Sequence, residues 1–297
     1  MPNEYTTLAA VRRYMKFDVY ASANAQDDAL LISLMNRASR SIDRACRRRF
    51  YPRLETRFYN YRRSKKLVLD DDLLELVTFK TQNGACTVAS GVMWLAAGDN
   101  WNKRPADRIV LSDSAGSVLN FSGTGQRANE VTAFWGYHEG WNDAWLDTGT
   151  SLAANYSASG GVLQLAGLGS AGSDVNYEAP RIAIGDTLRI GDEFFAVIGP
   201  ASPTSGNDVR IKPYLNGTVG ASHASGASIA KFTPESDIEW CTRRLVAWAH
   251  GQSDAPFTEK TANAQTGTVI IPSAWPVDVK EKLERFVRFD FEIYPDV

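Results

Sequence analysis

Residues 27–52, DDALLISLMNRASRSIDRACRRRFYP, open and close a long amphipathic helix within one stretch. Asp27 and Asp28 stand where an N-cap and a first-turn acid belong, and their oxygens satisfy exposed amides and favour the positive end of the helix dipole. Leu31, Leu34 or Met35, Ala38, Ile42 and Ala45 recur at steps of three and four, which lines one face with apolar side chains. Tyr51-Pro52 ends the pattern, because the residue before proline is pushed out of the α region. Upstream, Thr6 or Thr7 caps a shorter helix, Leu8 to Met15, with Leu8, Val11 and Tyr14 or Met15 on one side. A polar joint, Ala21 to Gln26, separates the two.

Downstream the period changes. From about 54 to 232, apolar or aromatic runs (Arg57 to Tyr61, Lys66 to Leu69, Arg108 to Leu111) alternate with clusters of Gly, Asn, Asp and Ser, the signature of strands and turns. The interval 149–176 is glycine-rich and joins two β subdomains, with one strand expected at Val162 to Leu165. Short runs at Thr187–Ile190, Glu193–Ile198 and Val209–Lys212, parted by turn residues, predict a small barrel or sandwich. Helix returns at Thr233, a cap followed by Pro234 and the first-turn acids Glu235 and Asp237; Ile238, Cys241, Leu245 and Trp248 then share a face until Gly251. A last helix opens at Pro276 with Val279, Leu283, Phe286 and Val287 as its stripe, and Phe289, Phe291, Ile293 and Tyr294 follow.

Short helices cannot bury such stripes alone. The expected fold is α+β: a small helical bundle built from both chain ends, with a large inserted β region of two small β subdomains. The expected boundaries are 1–53 (N-terminal helical part of the core), 54–150 (first β subdomain), 151–232 (second, a barrel or sandwich) and 233–297 (C-terminal helices and a partner-docking tail).

Composition narrows the classes of function. The 297 residues are 44% hydrophobic and 22% charged with a net charge of −2, which disfavours wrapping of nucleic acid through phosphate contacts. Three cysteines, Cys46, Cys86 and Cys241, lie far apart, so neither a disulfide framework nor a thiolate metal site is expected. The first residues carry no signal-peptide run, and no stretch is apolar enough for a membrane span; production in the cytoplasm and no membrane partner are expected.

Several blocks carry a resemblance. Thr7-Leu-Ala-Ala-Val, Asp27-Asp-Ala-Leu-Leu and the long helix ending at Arg48-Arg-Phe-Tyr-Pro52 resemble the head-to-tail connector (adaptor) family of tailed bacteriophages. Leu67–Leu74, the Trp-rich block Phe134–Asp147, the turn-rich Tyr214–Ala227 and the two closing helices are similar to that family in the same order. The resemblance implies a non-enzymatic ring, commonly twelvefold, seated under the portal at the head–tail junction of the virion. Its partners would be copies of itself, the portal and a tail or nozzle protein, with DNA passing through the channel without sequence-specific binding and with no cofactor. The inserted β region is larger than in compact members.

Candidate sites follow. Arg37, Arg40, Arg44 and Arg47 share one face of the long helix. That face is a solvated surface, a contact with Asp70, Asp71 and Asp72 of the next subunit, or a weak DNA contact in the channel. Phe286, Val287, Phe289, Phe291, Ile293 and Tyr294 either fold back on the helices or dock onto the portal; the alternation beyond 287 suits a strand added to another sheet. Trp135, Trp141 and Trp145 with Tyr137 form core or interface, or else a sugar-stacking platform, which is the rival reading of a β-rich tail or fibre carbohydrate-binding module. A hydrolase is the second rival. Gly167-Leu-Gly-Ser-Ala-Gly172 matches G-x-G-x-x-G but precedes β signals and Pro180, not the helix that a dinucleotide needs. His138, His223 and His250 lack ligand spacing, His223 reads as a turn residue, and no nucleophile, base and orienting group assemble, so neither catalytic nor metal residues are expected.

Overall fold

A computed structural model describes residues 3–17, 25–60, 65–81, 84–86, 93–98, 100–101, 103–111, 127, 129–166, 182–200, 207–253, 261–263, 268–270 and 275–288. Helix α1 (Leu8–Tyr14) starts from Thr7, whose Oγ1 accepts from the Ala10 amide at 3.2 Å. Helix α2 (Ala25–Cys46) carries Asp27 and Asp28 in its first turn, and Arg12 of α1 reaches Asp28 at 2.9 Å. Its buried face is Leu31, Leu34, Met35, Ala38, Ile42 and Cys46. Ala45, expected on that face, is exposed, because Cys46, four residues beyond Ile42, takes the next inward place.

Seven antiparallel strands follow: β1 (Arg53–Tyr59), β2 (Lys66–Thr81), β3 (Gly84–Cys86), β4 (Met93–Ala97), β5 (Asn100–Trp101), β6 (Ala106–Leu111) and β7 (Asn129–Trp135). They form one sheet in the order β1-β7-β2-β6-β4-β5, with β3 paired to β2. A second set, β8 (Trp145–Leu152), β9 (Val162–Ala166), β10 (Thr187–Ile190), β11 (Glu193–Pro200), β12 (Asp208–Lys212) and β13 (Ser228–Phe232), closes as a barrel in the order β10-β11-β12-β9-β8-β13. Helix α3 (Ser236–Ser253), a hairpin of β14 (Thr261–Asn263) and β15 (Thr268–Ile270), and helix α4 (Val277–Glu284) complete the chain. The barrel begins at Trp145, so the expected boundary at 150/151 cuts through β8.

This architecture corrects the expected fold class. The protein is chiefly β, with fifteen strands and four helices among the described residues, and is not a helical bundle carrying small β inserts. The four helices do meet, α3 lying against α1, α2 and α4. They are too few to enclose their own stripes, however, and complete the core on β residues. Leu74 and Phe134 from the sheet and Phe194, Ala196 and Phe232 from the barrel join Met35, Ile42, Cys241, Val246, Leu283 and Phe286 in one cluster. The sheet has a core of its own around Leu73, Phe79, Ile109, Val131 and Trp135, and the barrel is filled by Leu163, Leu188, Ile190, Phe195, Val197 and Ile229.

The helix-to-sheet joint is tight. Gly136, directly after β7, donates its amide to Asp72 O at 2.8 Å and has φ +147. A Cβ there would stand 2.5 Å from Tyr51 O, so only glycine lets β7 pass this close to the end of α2.

Candidate functional site

The acidic triplet occupies an irregularity in β2. Against β6 the register runs Val68↔Arg108 and then jumps to Leu73↔Ala106, so four residues of β2 face Asp107 alone. A strand with surplus residues bends and leaves its ladder, which re-aims side chains. Asp72 accepts from Arg48 Nη1 with both oxygens at 3.0 Å. Asp71 accepts from Arg57 Nη2 at 2.8 Å and lies 3.5 Å from Arg288 Nη1. Asp70 accepts from Arg57 Nη1 at 3.1 Å and from the Tyr59 hydroxyl at 2.5 Å. Arg57 in turn lies 4.1 Å over the Trp135 ring. Burial pushes Asp72 up to about 6 against the pull of Arg48 and Arg288. Burial also pushes on Asp70, but the Tyr59 hydroxyl and Arg57 hold it below its ordinary value.

The partners of the triplet are thus Arg48, Arg57 and Arg288 of the same chain. On the α2 face, Arg37, Arg44 and Arg47 are exposed, with Arg47 just past the helix end at φ 52. Arg44 donates to Ser41 Oγ at 3.3 Å. Arg40 differs: it donates to Asn3 O at 2.7 Å, pairs with Asp43 at 3.1 Å and lies 4.9 Å over the Tyr51 ring. Of the docking candidates, Phe286 is buried against Phe50 and Tyr137, at 5.6 and 5.7 Å between ring centres, and Val287 is half-buried. Phe289, Phe291, Ile293 and Tyr294 lie outside the described residues, as does the glycine-rich 167–172. Trp135 and Trp141 are buried, and half-buried Trp145 packs on Phe194 at 4.9 Å. These rings build core rather than an exposed sugar platform.

A cleft of about 760 Å³ opens beside the Arg48–Asp72 pair. The segment between β5 and β6 supplies Lys103, Arg104 and Pro105, β6 supplies Asp107, and the turn after β7 supplies residues 137 and 139–143. Arg48 lies 4.4 Å over the Tyr137 ring, whose hydroxyl donates to Glu139 at 2.7 Å. Asp107 pairs with Arg108 at 2.7 Å and accepts from the Gly98 amide at 3.1 Å. With Arg48 and Asp72 neutralising each other, Lys103 and Arg104 on one element and Glu139 and Asp143 on another mark a polar slot.

One buried Glu–His pair is not evident in the sequence. Glu193 opens β11 at 1% exposure; its Oε2 accepts from the Ala221 amide at 2.9 Å and lies 3.0 Å from His223 Nε2, while Oε1 has no partner among the described residues. His223 is no free turn residue: it bridges Tyr156 backbone to backbone and stacks on its ring at 6.0 Å. The available signal is an acid directly ahead of Phe194-Phe195 in an apolar strand. His138 Nε2 lies 2.9 Å from Thr233 O. Cys46 and Cys241 are buried thiols, both pushed up to about 12 by burial. Among the described residues no cluster of three or more His, Cys, Asp or Glu side chains is placed to hold a metal ion, and no helix is long and apolar enough to cross a membrane. No protein-family model, curated protein or solved structure matches the chain.

Proposed function

We propose that this chain is a structural, non-enzymatic head-to-tail adaptor of a tailed bacteriophage. Its copies would close into a ring under the portal, extend the DNA channel and offer a platform to a tail or nozzle protein. One observation carries the reading: helices from both ends of the chain share a single core, to which the sheet and the barrel each contribute side chains. Such a subunit has a helical base and two β bodies to present to neighbours. The exposed Arg37, Arg44 and Arg47 support a base that meets the adjacent copy or lets DNA slide past. Repeated around a ring, weak phosphate contacts add up, whereas a strong grip would oppose DNA passage. The segment Val287 to Tyr294 would dock onto the portal. The ring, twelvefold in the family that the sequence resembles, would assemble in the host cytoplasm and end at the head–tail junction.

Negative-stain images and light scattering of the purified protein, alone and mixed with portal rings, test the proposal. Closed rings, or a stable complex with the portal, are expected. A protein that stays monomeric and ignores the portal refutes it.

A further inference from the structure

We propose that neighbouring copies of the chain meet through two unlike helix faces. The outer stripe of α2, with Arg37 and Arg44, lies against the outer stripe of α4, with Glu281 and Glu284, of the next copy. The inference rests on the adaptor ring proposed for the chain and names the surfaces that would close it. On α2, Leu30, Ser33, Arg37, Ser41 and Arg44 follow at steps of three and four and so share a face. Leu30 is 38% exposed, and Ser33, Arg37 and Arg44 are exposed. On α4, Val277, Glu281 and Glu284 recur in the same way; all three are exposed, Val277 at 62%. Val279 and Leu283 of α4 enter the same core as Met35 and Ile42 of α2. The two stripes therefore point outward from one shared core.

Neither stripe is neutralised within the chain. Among the described residues, neither Arg37 nor Arg44 forms an ion pair; Arg44 donates to Ser41 of its own stripe, and the neighbouring Asp43 is held by Arg40 and Tyr5. Glu281 and Glu284 form no ion pair there either, and the cations beside them in sequence, Lys282 and Arg285, reach Asp237 of α3 instead. Exposed Lys280 offsets one of the two acids, whereas the α2 stripe holds no acid at all. Spacing fits as well. Arg37 and Arg44 stand about 10.5 Å apart along their axis and Glu281 and Glu284 about 4.5 Å, so centred helices leave each pair displaced by about 3 Å, within side-chain reach. Two α2 stripes would set arginine on arginine, and two α4 stripes glutamate on glutamate. Charge thus rejects two-fold pairing of like faces and selects unlike ones. A contact between unlike faces passes from copy to copy and can close as a ring. Exposed ion pairs are individually weak, so these charges decide which faces meet, and the ring repeats them.

Full-length parent is compared with Arg37→Glu/Arg44→Glu and with Glu281→Arg/Glu284→Arg by light scattering and native mass spectrometry, with circular dichroism checking each fold. Each variant alone carries two faces of one sign, and its concentration for half-assembly is expected to rise about tenfold or more. Mixed in equal amounts, the two variants are expected to assemble together, and a chain with all four substitutions to assemble as the parent does. Damage to either fold would not be repaired by mixing. Arg37→Lys/Arg44→Lys keeps the charge and gives a second reading. In its rings, made half from isotope-labelled chains, a carbodiimide is expected to join position 37 or 44 of one copy to Glu281 or Glu284 of another. Parent rings that are indifferent to both reversals, or that show neither rescue nor this bridge, overturn the pairing and leave the adaptor reading standing. A parent that forms no ring, alone or with portal, overturns both.

Discussion

Arg48→Met destabilises the protein strongly at pH 8 and weakly at pH 5. The side chains of Arg48 and Asp72 are only 18% and 8% exposed. The substitution removes the contacts to both Asp72 oxygens at 3.0 Å and the guanidinium lying 4.4 Å over the Tyr137 ring. Methionine refills much of the space, so the packing loss is small. An abandoned buried carboxylate costs roughly 3–5 kcal/mol. Asp72 can relieve that cost by taking a proton. Burial already lifts it from 3.8 to about 6, and Arg48 is the strongest influence pulling it down, so in the variant it protonates more readily still. A carboxyl raised in this way favours the fold below its unfolded value, and that contribution, about 3 kcal/mol in the parent, fades as pH climbs through about 6. Below that range Asp72 is neutral with or without Arg48, and the deficit shrinks to about 1 kcal/mol, the worth of an ordinary hydrogen bond. Urea unfolding followed by tryptophan fluorescence at the two pH values measures it, with Asp72→Asn and the double variant alongside. Equal deficits at both pH values, or a double variant no more stable at pH 8 than Arg48→Met, would refute the reasoning.

His223→Ala strips the buried Glu193 of its only side-chain partner among the described residues and costs roughly 3 kcal/mol; thermal melts should show a clear loss that Glu193→Gln in the same chain largely repairs, and an unchanged midpoint counts against the pairing. Asp186, which is buried, is lifted to about 6 because burial outweighs Lys231. Its contribution therefore holds below its ordinary value and disappears as pH rises through about 6. Asp186→Asn still accepts the Ala183 amide, as Asp186 does at 2.7 Å, so unfolding free energies at pH 4.5 and 7.5 should differ less in the variant than in the parent. Gly217→Ala places a Cβ 2.2 Å from Leu54 O at φ +82 and should cost about 2 kcal/mol or more in urea unfolding. Arg44→Glu with Arg47→Glu should leave the subunit folded by circular dichroism and abolish ring assembly by light scattering; rings of parental size would remove that face from the contact.

The local elements were legible where sequence neighbours pair. β10 spans the Thr187–Ile190 expected from alternation, and β9, β11 and β12 lie within two residues of expectation, because the barrel's hairpins put both partners in one short stretch. The Thr7 cap and the buried Val279, Leu283 and Phe286 likewise follow from spacing. The dominance of β structure was not legible. β2 runs sixteen residues through Asp70-Asp71-Asp72, which reads as a solvated turn, and it is kept as a strand by β7 on one side and β6 on the other. Pairings such as Leu54↔Phe134 leave no local period to read. The site shows the same division. The basic and acidic residues are visible as composition, but the bulge that hands Asp72 to Arg48, and the thirty-residue separation of Glu193 from His223, exist only in three dimensions.

The basic run from 37 to 66 then divides by use. Arg40 is spent on Asn3, Asp43 and Tyr51, Arg48 on Asp72, Arg53 on Glu55, and Arg57 on Glu55, Asp70, Asp71 and the Trp135 ring. Arg48 ties the end of α2 to β2, Arg53 and Arg57 pair within the sheet, and Arg40 holds α2 to the chain around Asn3 and Tyr51, so changing any of them tests the fold. Tyr5 stiffens the same joint, its buried hydroxyl accepting from the Phe50 amide at 3.0 Å and donating to Asp43. Arg37 and Arg44 on the helix, and Arg47 just past its end, are exposed. A loss of assembly on reversing Arg44 and Arg47, in a subunit whose circular dichroism is unchanged, is evidence about contacts between subunits, whereas the same result at Arg40 or Arg48 would report a loosened monomer.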